Sequence, residues 1–313
     1  MTAVRIGSRS IELSNLEKVL FPDAGITKGD VIEYYRAVAD VMLAHARDRA
    51  VTLQRFPDGI GKKGFIQQKR SGHFPQWIDG VRVRRVGRKG GTIEHVVCND
   101  QATLVYLAGQ AVLTFHLWLS RTRRIDKPDR LIFDLDPPHG DDFAPVVQGA
   151  RRVRDLMHAL GLTPYVMTTG SSGLHVVAPL RAAHGFDEVR AFARAMADYL
   201  ARRYPDALTV EQRKNKRRGR LYLDVMRNSW AQTSVAPYAL RAKPGAPVAT
   251  PLEWDELARP DIGAQRYTLA NLRRRLGQRG DPWADIDRHR AGIGPARRAL
   301  EALAGKLEEG EGE

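Results

Sequence analysis

Three aspartates carry the chemistry most open to inspection. In the segment LIFDLDPP, Asp134 and Asp136 stand two residues apart within an apolar run. On a β-strand that spacing puts both carboxylates on one face, while Leu131, Phe133 and Leu135 turn to the other. In LYLDVMR the same alternation sends Leu221, Leu223 and Val225 inward and Asp224 outward. If the two strands are neighbours, three carboxylates meet on one patch. Ionised carboxylates repel one another, so such a patch calls for divalent cations. Two cations roughly 3.5–4 Å apart hold the attacking and the leaving oxygen of a phosphoryl displacement. A lone D-x-D also occurs in glycosyltransferases, in nucleases and at strand ends without a site. Asp224, with Arg227 shortly after it, is what favours a metal centre.

Other segments offer phosphate chemistry, each beside a plainer reading. The loop TTGSSGLH presents the hydroxyls of Thr168, Thr169, Ser171 and Ser172, and its glycines let backbone N–H groups approach an anion. It serves equally as a polar hairpin turn, with His175 opening the next strand. Arg213 to Arg220, including Arg217 and Arg218, is either a grip on a phosphate backbone or a solvated hairpin tip. Arg241 and Lys243 are constrained by the prolines of PYALRAKPGAP. Phe65, Phe74 and Trp77 either stack on a base or pack a small sheet.

The elements that must position these groups follow from periodicity. Leu131–Asp136 reads as a strand, Val146 to Leu160 as a helix, Pro164–Thr168 and Leu174–Leu180 as strands, 186–203 as a helix and Leu221–Met226 as a strand. This order matches a ferredoxin-like, RNA-recognition-type sheet. Upstream, Thr27 caps a helix over 27–43, with Asp30 completing a weak capping box. Residues 50–97 form a small mixed or antiparallel sheet, and the apolar stretch Ala102–Leu119 reads as a buried helix that carries His116. Beyond about residue 250 the chain turns Pro-rich, then helical and Arg-rich, and it ends in the acidic LEEGEGE.

Composition narrows the partners. Lys and Arg number 50 against 36 Asp and Glu, a net charge of +14, which suits a polyanion. Cys98 is the only cysteine, which excludes an intrachain disulfide and a multi-cysteine zinc site, and a reducing location follows. The N-terminus lacks the apolar core of a signal peptide, and the longest apolar stretch is short for a membrane span, so no membrane partner is expected.

The motifs LSNLEKVLFPDAGITKGDVIEYY, LIFDLDPP, TTGSSGLHVVAPL and LYLDVMRNSWAQTSVAPYALRAKPGAPVATPLEWDEL, with the segment ending FHLW, resemble the polymerase domain of bacterial DNA ligase D, a member of the archaeo-eukaryotic primase superfamily. The resemblance runs from about residue 8 to about 275. It implies an α+β, primase-like fold with a ferredoxin-like catalytic sheet packed against an N-terminal mixed module. One catalytic domain would span about 1–305, as modules of about 1–127, 128–250 and 251–305, followed by a disordered tail over 306–313. The implied activity is nucleotide addition at DNA gaps and broken ends, with ribonucleotides preferred, in a stand-alone chain or an excised domain of the bacterial cytoplasm and nucleoid. De novo priming and a catalytically weak end-bridging module are the alternatives. By the same resemblance Asp134, Asp136 and Asp224 hold two Mn²⁺ or Mg²⁺ ions. His116, Thr169, Ser172, His175, Arg227, Arg241 and Lys243 surround the incoming NTP or dNTP, with His116 at its sugar or phosphate. Asn15, Lys18 and Lys28 bind a downstream 5′-phosphate, Lys28 at a helix N-terminus. Phe65 or Phe74 stacks on a template base, and Ku and a separate ligase are expected partners. Thr169 and Ser172 stand where the family usually has serine and lysine, and Lys243 where arginine is usual. No K-x-D-G adenylation motif is present.

Overall fold

The computed structural model describes residues 2–85, 90–138 and 142–310. Residues 86–89, within the expected N-terminal sheet, and 311–313, within the expected tail, lie outside the described residues. The chain forms two compact units that interleave in sequence. Unit 1 takes Met1–Arg123, Thr233–Thr250 and Gln265–Asp281, and unit 2 takes Arg124–Gln232, Pro251–Ala264 and Pro282–Glu313. The stretch expected as one C-terminal extension is therefore shared between the units.

In chain order unit 1 begins with β1 (Thr2–Ile6), β2 (Arg9–Leu13), β3 (Val19–Phe21) and β4 (Ile26–Thr27). Helices α1 (Lys28–Ala37) and α2 (Ala39–Ala46) follow, breaking at Val38 the single helix that the periodicity suggests. Thr27 and Asp30 form a full capping box on α1. Next come β5 (Ala50–Arg55), β6 (Phe65–Gln67), β7 (Gly80–Arg84), β8 (Thr92–Val97), α3 (Gln101–Gly109) and β9 (Val112–Trp118). The sheet is antiparallel, with β5 between β8 and β9 and β6 on the outer part of β5. One of its faces packs on α1: Phe115 meets Tyr35 edge-to-face at 5.0 Å between ring centroids, and the Tyr35 hydroxyl donates to the Leu113 carbonyl.

The long apolar helix expected over Ala102–Leu119 is two elements. Helix α3 stops at Gly109, Ala111 turns the chain at φ 58°, and a run rich in β-branched and aromatic residues continues as β9. Continuous apolar sequence hides such a boundary because both elements are buried on all sides. His116 accordingly sits on a strand, opposite Thr52 of β5 and Val235 further along the chain.

Unit 2 is built on β10 (Arg130–Leu135), α4 (Ala144–Ala159), β11 (Tyr165–Thr168), β12 (Leu174–Pro179), α5 (Phe186–Arg203), β13 (Leu208–Thr209) and β14 (Leu221–Tyr222). The chain returns to unit 1 at β15 (Thr233–Val235), which pairs with β9, and β16 (Thr250–Leu252) extends the sheet of unit 2 to the order β10-β12-β11-β16. Helix α6 (Leu272–Arg279) belongs to unit 1 and α7 (Ile293–Gly310) to unit 2. α7 continues through residues 306–310, where the acidic composition suggests a disordered tail. Leu131, Phe133 and Leu135 of β10 are fully buried, joined by Val146, Ala150 and Val153 of α4 and by Phe192 and Met196 of α5.

The strand expected over Leu221–Met226 is shorter than its alternation suggests. After β14 only Asp224 pairs with β10, through a single bridge to Asp134, and a 3₁₀ turn follows over Met226–Asn228. Asn228 then substitutes for strand pairing. Its amide nitrogen donates to the Ile132 and Val225 carbonyls at 2.8 Å each, and its amide oxygen accepts the Ile132 N–H at 2.9 Å. With that bridge counted, the order Asp224-β10-β12-β11 in unit 2 is the fourth-first-third-second strand order of a ferredoxin-like sheet.

Candidate active site

Asp134 and Asp224 exchange both backbone hydrogen bonds, Asp134 N–H to Asp224 O at 2.8 Å and Asp224 N–H to Asp134 O at 3.3 Å. Directly opposed residues of an antiparallel pair project from the same face. On the other side of β10, Asp134 pairs in register with His175 of β12. Asp224, Asp134 and His175 therefore form one row across the sheet, and Asp136 extends that face beyond the end of β10.

The row is electrostatically uneven. Asp134 is 7% exposed. Its Oδ1 lies 3.4 Å from His175 Nε2, and its Oδ2 accepts from Arg227 Nε at 3.1 Å. Burial alone would raise its carboxyl, but His175 and Arg227 outweigh that and hold it down to about 2. Asp224 is only half-buried, yet its carboxyl is raised, first by burial and then by the negative charges of Asp134 and Asp136, against the opposing Met226 N–H that it accepts at 2.7 Å. The three carboxylates thus feel one another.

The TTGSSGLH loop is held against this row. Thr169 is 4% exposed, and its hydroxyl accepts the Ser171 and Gly173 N–H groups at 3.2 Å each. A residue expected at the triphosphate is thus also the staple of its own loop. Gly170 takes φ +63°. A Cβ on Gly173 would stand 1.9 Å from the Leu135 carbonyl oxygen, so only glycine lets the loop lie on β10. That contact brings Ser172 Oγ within 2.6 Å of Asp136 Oδ1, to which it donates. Nothing in the sequence signalled this bond or the strand-like role of Asn228.

Unit 1 holds the other expected residues except Arg217 and Arg218. Val235 pairs with His116, and the Thr114 hydroxyl donates to the Leu240 carbonyl at 2.7 Å, which fixes the backbone before Arg241 beside β9. Arg241 and Lys243 are half-buried on the turn that follows. Asn15 takes φ 53°, and its carbonyl accepts the Lys18 N–H at 3.1 Å. Lys18 is exposed and paired with Asp58 at 2.6 Å, and Lys28 is 8% exposed. The N-terminus of α1 does not offer free donors: Lys28 N–H bonds the Lys18 carbonyl, Gly29 N–H the Leu16 carbonyl and Asp30 N–H the Thr27 hydroxyl. A phosphate here would depend on the lysine side chains.

Two expected contacts are spent elsewhere. Phe74 is 6% exposed and packs edge-to-face on Tyr106, so it presents no stacking surface, whereas Phe65 is 47% exposed. Arg217 closes its own loop through the Glu211 and Gln212 carbonyls and covers the Tyr222 ring, while Arg218 is exposed.

A carboxylate row on a ferredoxin-like sheet recurs in unrelated enzymes, so the whole chain must decide the family. Residues 27–283 match the LigD primase-polymerase domain. The chain belongs to that family. The multifunctional non-homologous end joining protein LigD of Mycolicibacterium smegmatis is 33% identical over 279 residues, covering 88% of this chain and 36% of that protein. The bifunctional LigD of Bacillus subtilis is 30% identical over 280 residues, covering 89% of this chain and 44% of that protein. The chain thus spans under half the length of these relatives. The polymerase domain of Mycobacterium tuberculosis ligase D, solved in complex with DNA, superposes with a TM-score of 0.82 at 31% identity, covering 89% of this chain and 98% of that one. The α+β architecture is accordingly that of the LigD polymerase domain, a primase-like fold. No helix among the described residues is long and apolar enough to cross a membrane.

Proposed function

We propose that this LigD-type chain is a DNA-dependent nucleotidyltransferase that adds nucleotides at gaps and broken ends, preferring ribonucleotides, in end joining or gap-filling repair. The row of Asp224, Asp134 and His175, with Asp136 at its end, carries the reading. Among the described residues no three acidic, histidine or cysteine side chains stand in a finished metal cage. The donors nonetheless suit a hard divalent cation such as Mn²⁺ or Mg²⁺: they are carboxylate oxygens, and Asp224, raised first by burial and then by Asp134 and Asp136, is a carboxyl whose ionised form such a cation would favour. Asp134, Asp136 and Asp224 would hold two ions, which supply charge neutralisation during phosphoryl transfer.

The chain's own residues do the rest. Arg227 and His175 keep Asp134 ionised, and Ser172 orients Asp136. Arg241 and Lys243 attract the triphosphate, and His116 faces the sugar. Asn15, Lys18 and Lys28 take the downstream 5′-phosphate, and Phe65 takes a template base. Ku and a separate ligase are the partners this reading implies.

The test offers labelled NTP or dNTP with Mn²⁺ on gapped duplex, unprimed single strand and blunt ends. Extension on the gapped duplex is expected, faster with NTP, and the preference should shrink in His116→Ala. Products on the unprimed strand alone would favour a primase, and equal use of both sugars would remove His116 from the sugar site.

A further inference from the structure

Unit 1 contains a second cluster of like charges. Lys28 is 8% exposed and Arg55, at the end of β5, is half-buried. Among the described residues neither has a carboxylate within ion-pair distance. The Arg55 guanidinium is held by amides alone: Nε donates to the Gln110 carbonyl at 2.9 Å, and the terminal nitrogens to Gln67 Oε1 at 2.9 Å and Gln110 Oε1 at 3.3 Å. These contacts lay the guanidinium against Phe65, 5.3 Å from the ring centroid. Phe65 is also the direct partner of Arg55 in the β5–β6 register, and the residue is 47% exposed.

Lys18 reaches the same corner. Its Nζ bonds Asp58, which follows Arg55 across the turn closed by the Gly59 N–H on the Phe56 carbonyl at 3.1 Å. The Lys28 ammonium is pushed below its usual range by burial, then by Lys18 and then by Arg55, so Lys28 stands in the field of both. Among the described residues only Lys18 of the three has a carboxylate partner, the exposed Asp58. Taking a guanidinium out of water against amides alone is costly unless an anion compensates it. Arg55 has five N–H donors and uses three, which leaves two for a phosphate.

We infer that Arg55 is the third cation of the 5′-phosphate pocket and the link between that pocket and Phe65, so that a terminal phosphate and the neighbouring template base are bound as one unit. This rests on the proposed pocket of Asn15, Lys18 and Lys28. With the guanidinium on one face of the Phe65 ring, a base stacks on the other, and the anion that orients Arg55 also steadies the platform.

The test is fluorescence anisotropy with the full chain at one fixed salt concentration. The labelled gapped duplex carries a 5′-phosphate or a 5′-hydroxyl, and either a template base beside that end or an abasic site. Wild type should prefer the phosphate, and loss of the phosphate should lessen the penalty for the abasic site. Arg55→Met should cut the phosphate preference by about 2- to 5-fold, the size of one solvent-accessible ion contact, and make the two losses independent. Arg55→Lys should recover part of the phosphate preference, a rescue that a purely structural arginine would not show. Should Arg55→Met lose its thermal transition, Phe65→Ala, at an exposed position, must still abolish the coupling. A wild type indifferent to the 5′-phosphate would remove the pocket itself. A wild type that prefers it, with variants that keep both preference and coupling, would overturn the role of Arg55 alone.

Discussion

The carboxylate corner of unit 2 and the cation corner of unit 1 are opposites in sign and alike in construction. Each gathers three like charges. In each, one member is almost fully buried, Asp134 at 7% and Lys28 at 8% exposure. Each also borrows partners from its own chain, Arg227 and His175 for Asp134 and Asp58 for Lys18. The borrowed partners differ. Arg227 and His175 hold Asp134 from two sides, so its charge is fixed before any ligand arrives. Asp58 sits exposed on a turn and leaves Lys28 and Arg55 uncompensated. The acidic corner is therefore prearranged, and the basic corner depends on an anion from outside.

The contrast breaks most sharply in catalysis. Asp134→Ala or Asp224→Ala should lower nucleotide addition by more than ~100-fold, because a preorganised charge at the reacting phosphoryl is lost. Binding of gapped DNA by anisotropy should stay near wild type. Near-normal extension by either variant at saturating Mn²⁺ would refute the metal assignment. In the basic corner the expected effect is smaller and lies in binding. Lys18→Ala combined with Lys28→Ala should erase a preference for 5′-phosphate over 5′-hydroxyl of roughly 10-fold, leaving weak, salt-sensitive affinity from the remaining basic surface. Titrations of both ends at one salt concentration decide it, and a double variant that still discriminates would move the pocket elsewhere.

Asp58 sharpens the comparison. If it competes with a phosphate for Lys18, Asp58→Asn should tighten binding to 5′-phosphorylated ends by about 2- to 5-fold, with little change for 5′-hydroxyl ends. The exposed pair is screened by salt, so the gain should fade as ionic strength rises. A loss of affinity in Asp58→Asn would make Asp58 a support for Lys18 instead of a rival.

The two corners were unequally legible in the sequence. Asp134, Asp136 and Asp224 stand on strands whose apolar alternation gives the direction of each side chain, so their convergence needed only that the strands be neighbours. The basic corner is assembled from Lys18, Lys28 and Arg55, which no periodicity connects, and its geometry depends on amide contacts from Gln67 and Gln110. Periodicity puts His116 on a helix because the apolar run through α3 and β9 is punctuated only by Gly109 and Gln110 before Ala111 turns it. Asn228 was invisible for another reason: a buried side chain replaces backbone pairing, and no local pattern announces that. The helix N-terminus at Lys28 looked like a phosphate seat, but Lys18, Leu16 and Thr27 already accept its first donors.

The smallest expected effect concerns Ser172, where the family usually has lysine. By sequence alone the serine removes a cation near the triphosphate, and Ser172→Lys should then lower the KM for nucleotide. The structure gives Ser172 a second task, since its hydroxyl donates to Asp136 Oδ1 at 2.6 Å. Asp136 is exposed and lies past the end of β10, so it lacks the framework that fixes Asp134. Ser172→Ala should leave the fold intact, because Thr169 and Gly173 hold the loop. It should raise the Mn²⁺ concentration needed for half-maximal extension by about 2- to 10-fold, the net worth of one ordinary hydrogen bond. Ser172→Thr, which keeps the hydroxyl, should restore most of it. Ser172→Lys would set an ammonium against Asp136, where it competes with the metal, so a lower nucleotide KM should come with a higher Mn²⁺ requirement. A Mn²⁺ titration at saturating nucleotide separates the two effects. An unchanged requirement in Ser172→Ala would mean that Asp136 orders itself on the metal without help, and the acidic corner would then owe its prearrangement to Asp134 and Asp224 alone.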